Sequence, residues 1–386
     1  MRVMVVLGTR PEAIKLAPLV LAARRREDMD VVLCNTGQHR EMSAQVLELF
    51  GLEPDIDLDI MRQQQTLTDV TVSILTGLHP HLERLKPDWL IVQGDTTTTF
   101  ASALAAFYQK VPVAHVEAGL RTGNIYAPWP EEMNRRLVSE IAALHFPPTP
   151  ASADNLRREG FADENVLVTG NTGIDALKWL VARLADDASL RDRARKAQMA
   201  SGVPASAASC ARPYVLITGH RRESFGPGFE AICEAIGELA DRFGDHDFIY
   251  PVHPNPMVRE TVFAKLGAGR HPNVYLVQPL DYLPFVDLMS RSALILTDSG
   301  GVQEEAPSLG KRVVVLRDVT ERMEGLETGL IRLAGTNRQK IVSFVGDALS
   351  GQWLAPTEGC DVYGDGGASE RILNRLAAHA NMTSAS

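Results

Sequence analysis

The sequence is poor in cysteine and has no long apolar run. Its 386 residues include four cysteines, Cys34, Cys210, Cys233 and Cys360, which form no Cys-x-x-Cys pair and no Cys/His cluster. We therefore expect neither a disulfide framework nor a zinc site, and we interpret the cysteines as reduced, buried thiols of a cytoplasmic protein. No apolar run approaches the roughly 18 residues that a membrane-spanning helix needs, so no membrane partner is expected.

The chain has fewer basic than acidic residues. The chain has 39 basic and 48 acidic residues, giving a formal net charge of −9. This balance argues against nucleic acid and anionic membranes as partners, although a local basic pocket could still bind phosphate. Hydrophobic residues make up 45% of the chain and charged residues 23%, as in a soluble globular protein. The length favours two domains.

Two nucleotide-binding motifs are missing. No Gly-x-Gly-x-x-Gly follows the first apolar run, and no Gly-x-x-x-x-Gly-Lys-Ser/Thr occurs. Pyridine-nucleotide redox chemistry and P-loop phosphoryl transfer are therefore disfavoured. No spacing of His, Asp and Glu fits a metal ligand set, so we expect no cofactor and no metal.

What the sequence does have is an alternation of short apolar runs with longer helical patterns. Continuous apolar runs are typical of strands buried on both faces of a parallel sheet, so the alternation predicts a doubly wound α/β architecture. The predicted strands are 2–7, 30–34, 89–93, 111–116, 144–146, 165–168, 213–218, 247–252, 273–277, 293–297 and 312–316. The clearest predicted helices are 11–26, 66–85, 97–109 and 229–242.

A domain boundary is predicted between residues 170 and 212. A charged helical stretch at Leu190–Lys196 is followed by the small, polar segment 201–212, which is typical of a surface loop. A second series of strand–helix units begins at Pro213. We therefore predict two Rossmann-like domains.

Polar residues recur where the predicted strands end. In open α/β sheets, ligands bind beyond the carboxyl ends of the strands. Asp95 follows one strand and Glu117 another, and residues 115–132 also carry the acidic pair Glu131 and Glu132. Carboxylates on such a segment favour paired acid/base chemistry. His115, inside a strand, is interpreted as a core residue, and Asp95 could instead cap the helix that follows it.

The second half of the chain offers an anion site. Ser299-Gly300-Gly301 before a helix could bind phosphate through free backbone N–H groups, or could be a plain helix cap. Arg10, Lys15 and Arg322 could add positive charge, although each alone is typical of a solvated surface residue. Glu305 could accept hydrogen bonds from sugar hydroxyls, or could be a first-turn glutamate favoured by the helix dipole. His220, beside Arg221 and Arg222, could assist a phosphate leaving group, and the role of His39 stays open.

Eight motifs in order resemble one family closely, from residue 2 to about residue 375. They are Gly-Thr-Arg-Pro-Glu (8–12), Thr-Gly-Gln-His-Arg (36–40), Gln-Gly-Asp (93–95), His-Val-Glu-Ala-Gly-Leu-Arg (115–121), Pro-Trp-Pro-Glu-Glu (128–132), Thr-Gly-His-Arg-Arg-Glu (218–223), Thr-Asp-Ser-Gly-Gly-Val-Gln-Glu-Glu (297–305) and Tyr-Gly-Asp-Gly (363–366). The sequence is similar to the non-hydrolysing UDP-N-acetylglucosamine (UDP-GlcNAc) 2-epimerases.

The resemblance implies a GT-B fold, with two Rossmann-like domains and the active site in the interdomain cleft. The expected domains are 1–170 plus 366–386, whose last helix crosses back, and a UDP-binding domain at 171–365. The implied reaction is reversible conversion of UDP-GlcNAc to UDP-N-acetylmannosamine (UDP-ManNAc) without a cofactor. It proceeds by elimination and re-addition of UDP through 2-acetamidoglucal. A homodimer is expected, and in some bacterial relatives a second UDP-GlcNAc acts as an activator.

Roles are carried over by motif. The resemblance makes Asp95, Glu117 and Glu131 the acid/base carboxylates and His220 the group that assists UDP departure, and Glu132 is then interpreted as a helix-start residue. It implies nucleotide contacts by Arg10, Lys15, Phe285, Ser299, Gly300, Gly301, Glu305 and Arg322, and an activator site that includes Gln38, Glu41, Arg221 and His253. Phe285 would lie beside the uracil, or it could simply pack in the core.

The chain departs from the family pattern in two places. Leu280 stands where some relatives have Gln near the uracil, so base recognition there would rest on the backbone. Asp361-Val362 stands where Asn-Pro is common, which is expected to affect only the turn before the last helix.

Three other functions stay open. A GT-B glycosyltransferase would share the fold and the UDP site but would not need Glu117 and Glu131 as a pair. A hydrolysing UDP-GlcNAc 2-epimerase would release ManNAc and UDP. A non-catalytic nucleotide-sugar sensor would tolerate loss of the carboxylates, and because all of them are present it is the weakest alternative.

Overall fold

The structure is a computed structural model that describes residues 1–62, 64–221, 226–267, 269–320, 322–356 and 358–383. The chain folds into two compact units. Unit 1 comprises Met1–Ala176 and the segment that begins at Tyr363, and unit 2 comprises Leu177–Val362.

Twelve strands are found in the described residues. They are β1 (Arg2–Leu7), β2 (Asp30–Asn35), β3 (Ile56–Asp57), β4 (Trp89–Gln93), β5 (Val113–Val116), β6 (Leu144–Phe146), β7 (Tyr214–Thr218), β8 (Asp247–Pro251), β9 (Val274–Val277), β10 (Leu294–Thr297), β11 (Val313–Val315) and β12 (Ile331–Leu333).

Sixteen α-helices connect and flank these strands in the described residues. They are α1 (Arg10–Arg24), α2 (Arg40–Leu49), α3 (Leu67–Leu85), α4 (Thr97–Tyr108), α5 (Glu131–Ile141), α6 (Pro150–Arg158), α7 (Thr172–Asp186), α8 (Ala188–Ala200), α9 (Ala205–Ala208), α10 (Pro227–Arg242), α11 (Pro256–Leu266), α12 (Tyr282–Arg291), α13 (Gly300–Ser308), α14 (Met323–Glu327), α15 (Arg338–Leu349) and α16 (Ala368–Thr383).

Unit 1 is built on a parallel six-stranded sheet in the order β3-β2-β1-β4-β5-β6. The central strands β4 and β5 are buried at every position, as their continuous apolar composition requires. The strand order reverses between β1 and β4, the point at which doubly wound sheets open a crevice for ligands. Helix α16 packs against α1, and Asp175 accepts hydrogen bonds from the backbone N–H groups of Ala368 and Ser369 at its start.

Unit 2 repeats the same plan. Its parallel sheet has the order β12-β11-β10-β7-β8-β9, so the reversal falls between β7 and β10. Apolar residues of these strands, α10 and α15 form one buried core. The expected fold class, two Rossmann-like doubly wound units, is confirmed.

The prediction of a strand at 165–168 is wrong. A 3-10 turn occupies Asp163–Asn165, and only Val166 forms a bridge, to His145 at the edge of β6. The turn takes up Asn165, and although Val166 has extended backbone angles (φ −117°, ψ 113°), its single bridge does not make a strand. The short edge strands β3 and β12, of two and three residues, were not predicted.

Two further expectations need correction. The segment 201–212 is not all surface loop, because it contains the short helix α9, whose Ala207 and Ala208 are buried. All four cysteines are free, but they are not all buried thiols: Cys210 is exposed and Cys360 is half-buried.

The described part of the chain has no helix long and apolar enough to cross a membrane. Within the same residues, no group of His, Cys, Asp and Glu side chains is arranged to hold a metal ion.

Candidate active site

The carboxyl ends of β1, β4 and β5 lie side by side in unit 1. Because the three strands are parallel neighbours, the turns that follow them meet at one edge of the sheet. This edge carries Asp95 after β4 and Glu117 after β5.

Glu117 lies in a conformation that L-residues rarely adopt. Its φ is +62°, and its N–H bonds to the carbonyl of Phe146. The side chain, 9% exposed, accepts hydrogen bonds on Oε2 from Lys15 Nζ at 2.5 Å and from the amide of Gln93. Lys15 is therefore not a solvated surface charge: it is the counter-ion of this carboxylate.

Asp95 has its own counter-ion. Arg135 donates to Asp95 Oδ2 at 2.5 Å, and the amide of Asn134 donates to the Asp95 carbonyl at 2.9 Å. Burial raises the pKa of Asp95 and the charge of Glu117 adds to the rise, while Arg135 and Lys15 oppose it. Asp95 does not cap α4, because Thr96 is the cap and accepts from the N–H of Thr99.

The start of α5 carries the acidic pair. Glu131 is the first residue of the helix and is half-buried. Glu132 lies in the first turn, but its side chain is fully buried and it does more than favour the helix start. It accepts from the backbone N–H groups of Thr122 and Gly123, at 3.1 and 3.4 Å, and pairs with Arg136 at 3.1 Å. Glu132 thereby ties the segment after β5 to α5.

Glu12 fixes the turn that follows β1. Its buried carboxylate accepts from the N–H groups of Gly8 and Thr9 at 2.9 and 2.7 Å, and from the hydroxyls of Thr96 and Thr99 at 2.5 and 3.1 Å. The pKa of Glu12 is raised because burial outweighs these hydrogen bonds. The contacts join the ends of β1 and β4. Arg10, at the start of α1, is half-buried, and its charge is one cause that lowers the pKa of His39, after burial itself.

His115 is a buried core residue, as expected. Its Nε2 lies 2.8 Å from the carbonyl of Gly94, directly before Asp95, so the ring supports that turn. Burial lowers the pKa of His115 to about 3, and that of its register partner on β6, His145, to about 4. Both imidazoles are therefore neutral at pH 7.

In unit 2, Asp298 orients the segment of His220. Asp298 Oδ2 accepts from the N–H groups of His220 and Arg221 at 2.6 and 2.7 Å, and its Oδ1 lies 3.3 Å from His220 Nδ1. Burial acts to raise the pKa of Asp298, but the bonds from His220 and Arg221 outweigh it and the net pKa is lowered. The ring of His253 stacks on that of His220 at 5.1 Å. Arg222 of the same motif lies outside the described residues.

The start of α13 has the features of an anion site. Ser299 is the cap residue, but its side chain makes no capping hydrogen bond, so the plain helix cap is not observed. A Cβ on Gly300 would lie 2.7 Å from Cζ of Arg322, so the guanidinium lies directly over the helix start. Arg322 is also held by Glu304 at 2.8 Å and is not a solvated charge. Glu305 lies in the second turn, which excludes its interpretation as a first-turn glutamate.

The other residues predicted to contact the nucleotide or the activator lie on several different elements. Phe285 is half-buried on α12 and Gly301 is exposed on α13. Gln38 accepts a hydrogen bond from Thr98 at 2.7 Å, at the start of α4, whereas Glu41 is exposed on α2.

Comparison with known proteins shows what the chain resembles as a whole. A family model described as UDP-N-acetylglucosamine 2-epimerase matches residues 21–377. The chain belongs to this family. It is 51% identical over 378 residues to UDP-N-acetylglucosamine 2-epimerase of Escherichia coli K12, covering 97% of this chain and 98% of that one. The Campylobacter jejuni enzyme of the same name is 45% identical, with 97% of each chain covered.

Solved structures of the family agree. The UDP-GlcNAc 2-epimerase from Neisseria meningitidis, solved bound to UDP-GlcNAc, has a TM-score of 0.86 and 44% identity, covering 98% of this chain and all of that one. The Methanocaldococcus jannaschii enzyme, in complex with UDP-GlcNAc and UDP, has a TM-score of 0.78 and 33% identity, with 98% and 100% covered.

The geometry thus groups the predicted residues into two sets. Asp95, Glu117 and Lys15 lie together in unit 1, and Ser299, Gly300 and Arg322 lie together in unit 2. Sequence reasoning missed the side chains that hold them: Gln93, Asn134, Arg135, Asp298 and Glu304. Each of these lies within a recognised motif or no more than three residues after one, which was the one signal available.

Proposed function

We propose that the chain interconverts UDP-GlcNAc and UDP-ManNAc without hydrolysis, as an isomerase that needs no cofactor. The observation that carries the proposal is the pair of carboxylates at adjacent strand ends, Asp95 and Glu117, each in contact with its own cation. Moving a proton at one carbon between two faces requires two acid/base groups. The names of the relatives agree with this reaction.

The proposed route is elimination followed by re-addition. One carboxylate removes the proton from C2 as the C1–O bond to UDP breaks, and the C–H electron pair becomes the C1=C2 double bond of 2-acetamidoglucal. A protonated group then returns a proton to C2 on the other face while an oxygen of UDP re-forms the bond to C1. Because the two steps are an elimination and an addition, with no electron donor or acceptor, the reaction needs no redox cofactor.

The carboxylates are suited to these steps by their environments. Glu117 is bonded by an ammonium and an amide, which hold its carboxylate in one orientation. Asp95 has a raised pKa, which brings its titration closer to neutral pH, where proton transfer is most efficient. Glu131, half-buried at the start of α5, is the third acid/base group of the proposal.

Unit 2 supplies the diphosphate interactions in this proposal. The backbone N–H groups at the start of α13 and the Arg322 guanidinium would stabilise the negative charge of departing UDP. His220, oriented by Asp298, would protonate or hydrogen-bond the leaving phosphate oxygen. Phe285 and Glu305 are proposed to contact the uridine.

Product analysis tests the proposed function. Purified protein is incubated with UDP-GlcNAc alone and the sugars are followed by proton NMR. We expect UDP-ManNAc to accumulate to an equilibrium with UDP-GlcNAc. Free ManNAc with UDP would instead identify a hydrolysing enzyme. No reaction until an acceptor is added would identify a glycosyltransferase, and UDP-GlcNAc binding without any turnover would identify a sensor.

We also propose a homodimer. Helices α3 and α4 pack together and expose three large apolar side chains: Val72 at 52%, Phe107 at 59% and Tyr108 at 67%. The rings of Phe107 and Tyr108 lie 6.4 Å apart, and adjoining exposed apolar side chains are a feature of protein interfaces. Light scattering should give a mass near twice 42.1 kDa, and a monomer at all concentrations would contradict the proposal.

Activation by a second UDP-GlcNAc stays a prediction. Two of its four residues contact the proposed His220–Asp298 pair, because His253 stacks on His220 and the N–H of Arg221 bonds to Asp298. Gln38 is bonded to Thr98, at the start of α4. A sigmoidal dependence of rate on UDP-GlcNAc concentration would support it, and hyperbolic kinetics would count against it.

A further inference from the structure

The first two turns of α5 hold the Asp95 turn through two consecutive residues. Asn134 donates to the backbone carbonyl of Asp95 and Arg135 donates to its carboxylate. We infer that Arg135 is a positioning residue for the reaction: its guanidinium holds the Asp95 carboxylate in place and puts a positive charge beside it. This inference rests on the proposed role of Asp95.

The guanidinium is itself fixed. Its second terminal nitrogen lies 3.4 Å from Glu132, whose side chain is fully buried, and the Arg135 side chain is only 11% exposed. A planar guanidinium with donors on both terminal nitrogens can bridge two carboxylates, whereas an ammonium group has one nitrogen to offer. Arg135 therefore has little freedom to move away from Asp95.

The same contacts reach the segment that follows Glu117. Glu132 accepts from the backbone of Thr122 and Gly123, and Arg121 donates to the hydroxyl of Ser139, which in turn donates to the Arg135 carbonyl. One helix start thus connects the Asp95 turn after β4 to the segment after β5. A displaced Arg135 side chain would therefore disturb the surroundings of both proposed acid/base carboxylates, Asp95 and Glu117.

The charges around Asp95 set the expected direction of any pH effect. Besides Arg135 on α5, Glu117 after β5 and Lys15 on α1 act on Asp95. Burial and Glu117 raise the pKa of Asp95, and Arg135 and Lys15 lower it. Removing Arg135 leaves the carboxylate buried with a negative neighbour and one cation fewer, so the pKa of Asp95 must rise further.

Arg136 offers a matched control on the same helix. It pairs with the same Glu132, at 3.1 Å, but its side chain is 38% exposed and no contact between it and Asp95 is found in the described residues. Arg136→Ala therefore removes one arginine and one contact to Glu132, while the Asp95–Arg135 pair is kept.

The experiment compares kcat and KM for UDP-GlcNAc across pH in the full-length wild type, Arg135→Ala, Arg135→Lys and Arg136→Ala. We expect Arg135→Ala to lower kcat by about 10²-fold, the effect of a misplaced catalytic group, with KM changed less than about threefold. The limb of the kcat profile that reports Asp95 should move to higher pH in this variant. Arg136→Ala should keep the wild-type profile.

Two further measurements distinguish a positioning role of Arg135 from a general loss of structure in the variant. Added guanidinium ion should fill the space left in Arg135→Ala and restore part of its kcat, and it should restore nothing in Arg136→Ala. Arg135→Lys keeps the positive charge but loses the two-nitrogen geometry of the guanidinium. The pH dependence of kcat should therefore stay as in the wild type, while kcat itself stays reduced. If Arg135→Ala does not fold, the lysine variant alone decides: wild-type kcat in that variant would overturn the inference.

The outcome also separates this inference from the proposed function. If Asp95→Asn turns over at the wild-type rate, the role of Asp95 is wrong and the inference is overturned with it. If Asp95→Asn is inactive but Arg135→Ala matches Arg136→Ala in kcat, pH profile and response to guanidinium, only the positioning role of Arg135 is wrong.

Discussion

At the scale of single residues, unit 1 buries ionisable groups in opposite ways. Glu117 and Asp95 each contact a cation, whereas the neighbouring imidazoles of His115 and His145 are buried with neither Nδ1 hydrogen-bonded among the described residues. The carboxylates thus have counter-ions, while the histidines are kept neutral. The consequence of the second arrangement can be measured as a pH dependence of stability.

His145→Phe should reduce the acid sensitivity of folding. In the unfolded chain His145 takes up a proton near its ordinary pKa of 6.5, but in the folded chain its pKa is only about 4. Between these values the unfolded state binds more protons, so this group lowers stability as the pH falls. Phenylalanine removes the effect, and the loss of unfolding free energy from about pH 7 to about pH 5 should be smaller by up to roughly 2 kcal/mol.

Urea denaturation at the two pH values gives this difference. His79→Asn, which replaces an exposed histidine of α3, provides the control variant. Equal acid sensitivity in wild type and His145→Phe would contradict the neutral, buried state of His145.

At the scale of elements, the turn after β5 depends on one glycine. Gly119 has a φ of +86°, and a Cβ there would lie 2.2 Å from the carbonyl oxygen of Ser152 on α6. The close approach of α6 to this turn fixes the path of the chain directly after Glu117. An alanine would meet both a disfavoured conformation and a backbone clash.

Gly119→Ala should therefore destabilise unit 1 by more than about 3 kcal/mol, since strain and clash add. Gly123→Ala is the matched control: its φ is +81°, but among the described residues no atom beyond its chain neighbours lies within 4 Å of the position that a Cβ would take. It should cost only about 1 kcal/mol, the strain alone. Chemical denaturation measures both, and equal losses would mean that α6 does not constrain the turn.

The same elements show how far the sequence could be used for prediction. Strands of four or more residues are rich in apolar residues, and the motifs at their ends placed Asp95, Glu117 and His220 correctly at the carboxyl edges. β3, with two residues, is too short to carry a pattern, and Arg332 interrupts the apolar run of β12. The segment 165–168 has strand composition, but a 3-10 turn takes up Asn165 and only Val166 forms a bridge. Arg135 and Asp298 could not be assigned roles, because their importance depends on partners 40 and 78 residues away.

At the scale of the whole molecule, the proposed reaction divides its chemistry between two units with the same strand order. In that proposal the carboxylates with their cations come from unit 1, and the helix start, Arg322 and the His220–Asp298 pair come from unit 2. Neither set alone accounts for both proton transfer and phosphate departure. The account therefore predicts a reaction in which the C2 proton is exchanged while UDP is neither lost nor consumed.

The most direct measurement is the fate of that proton. Wild-type protein is incubated with UDP-GlcNAc in deuterated water and the products are followed by NMR. The account predicts UDP-ManNAc carrying deuterium at C2 and no net release of free sugar. Glu117→Gln should lower the rate of this exchange by about 10²-fold or more while UDP still binds. UDP-ManNAc that keeps protium at C2, or exchange that continues at the wild-type rate in Glu117→Gln, would contradict it.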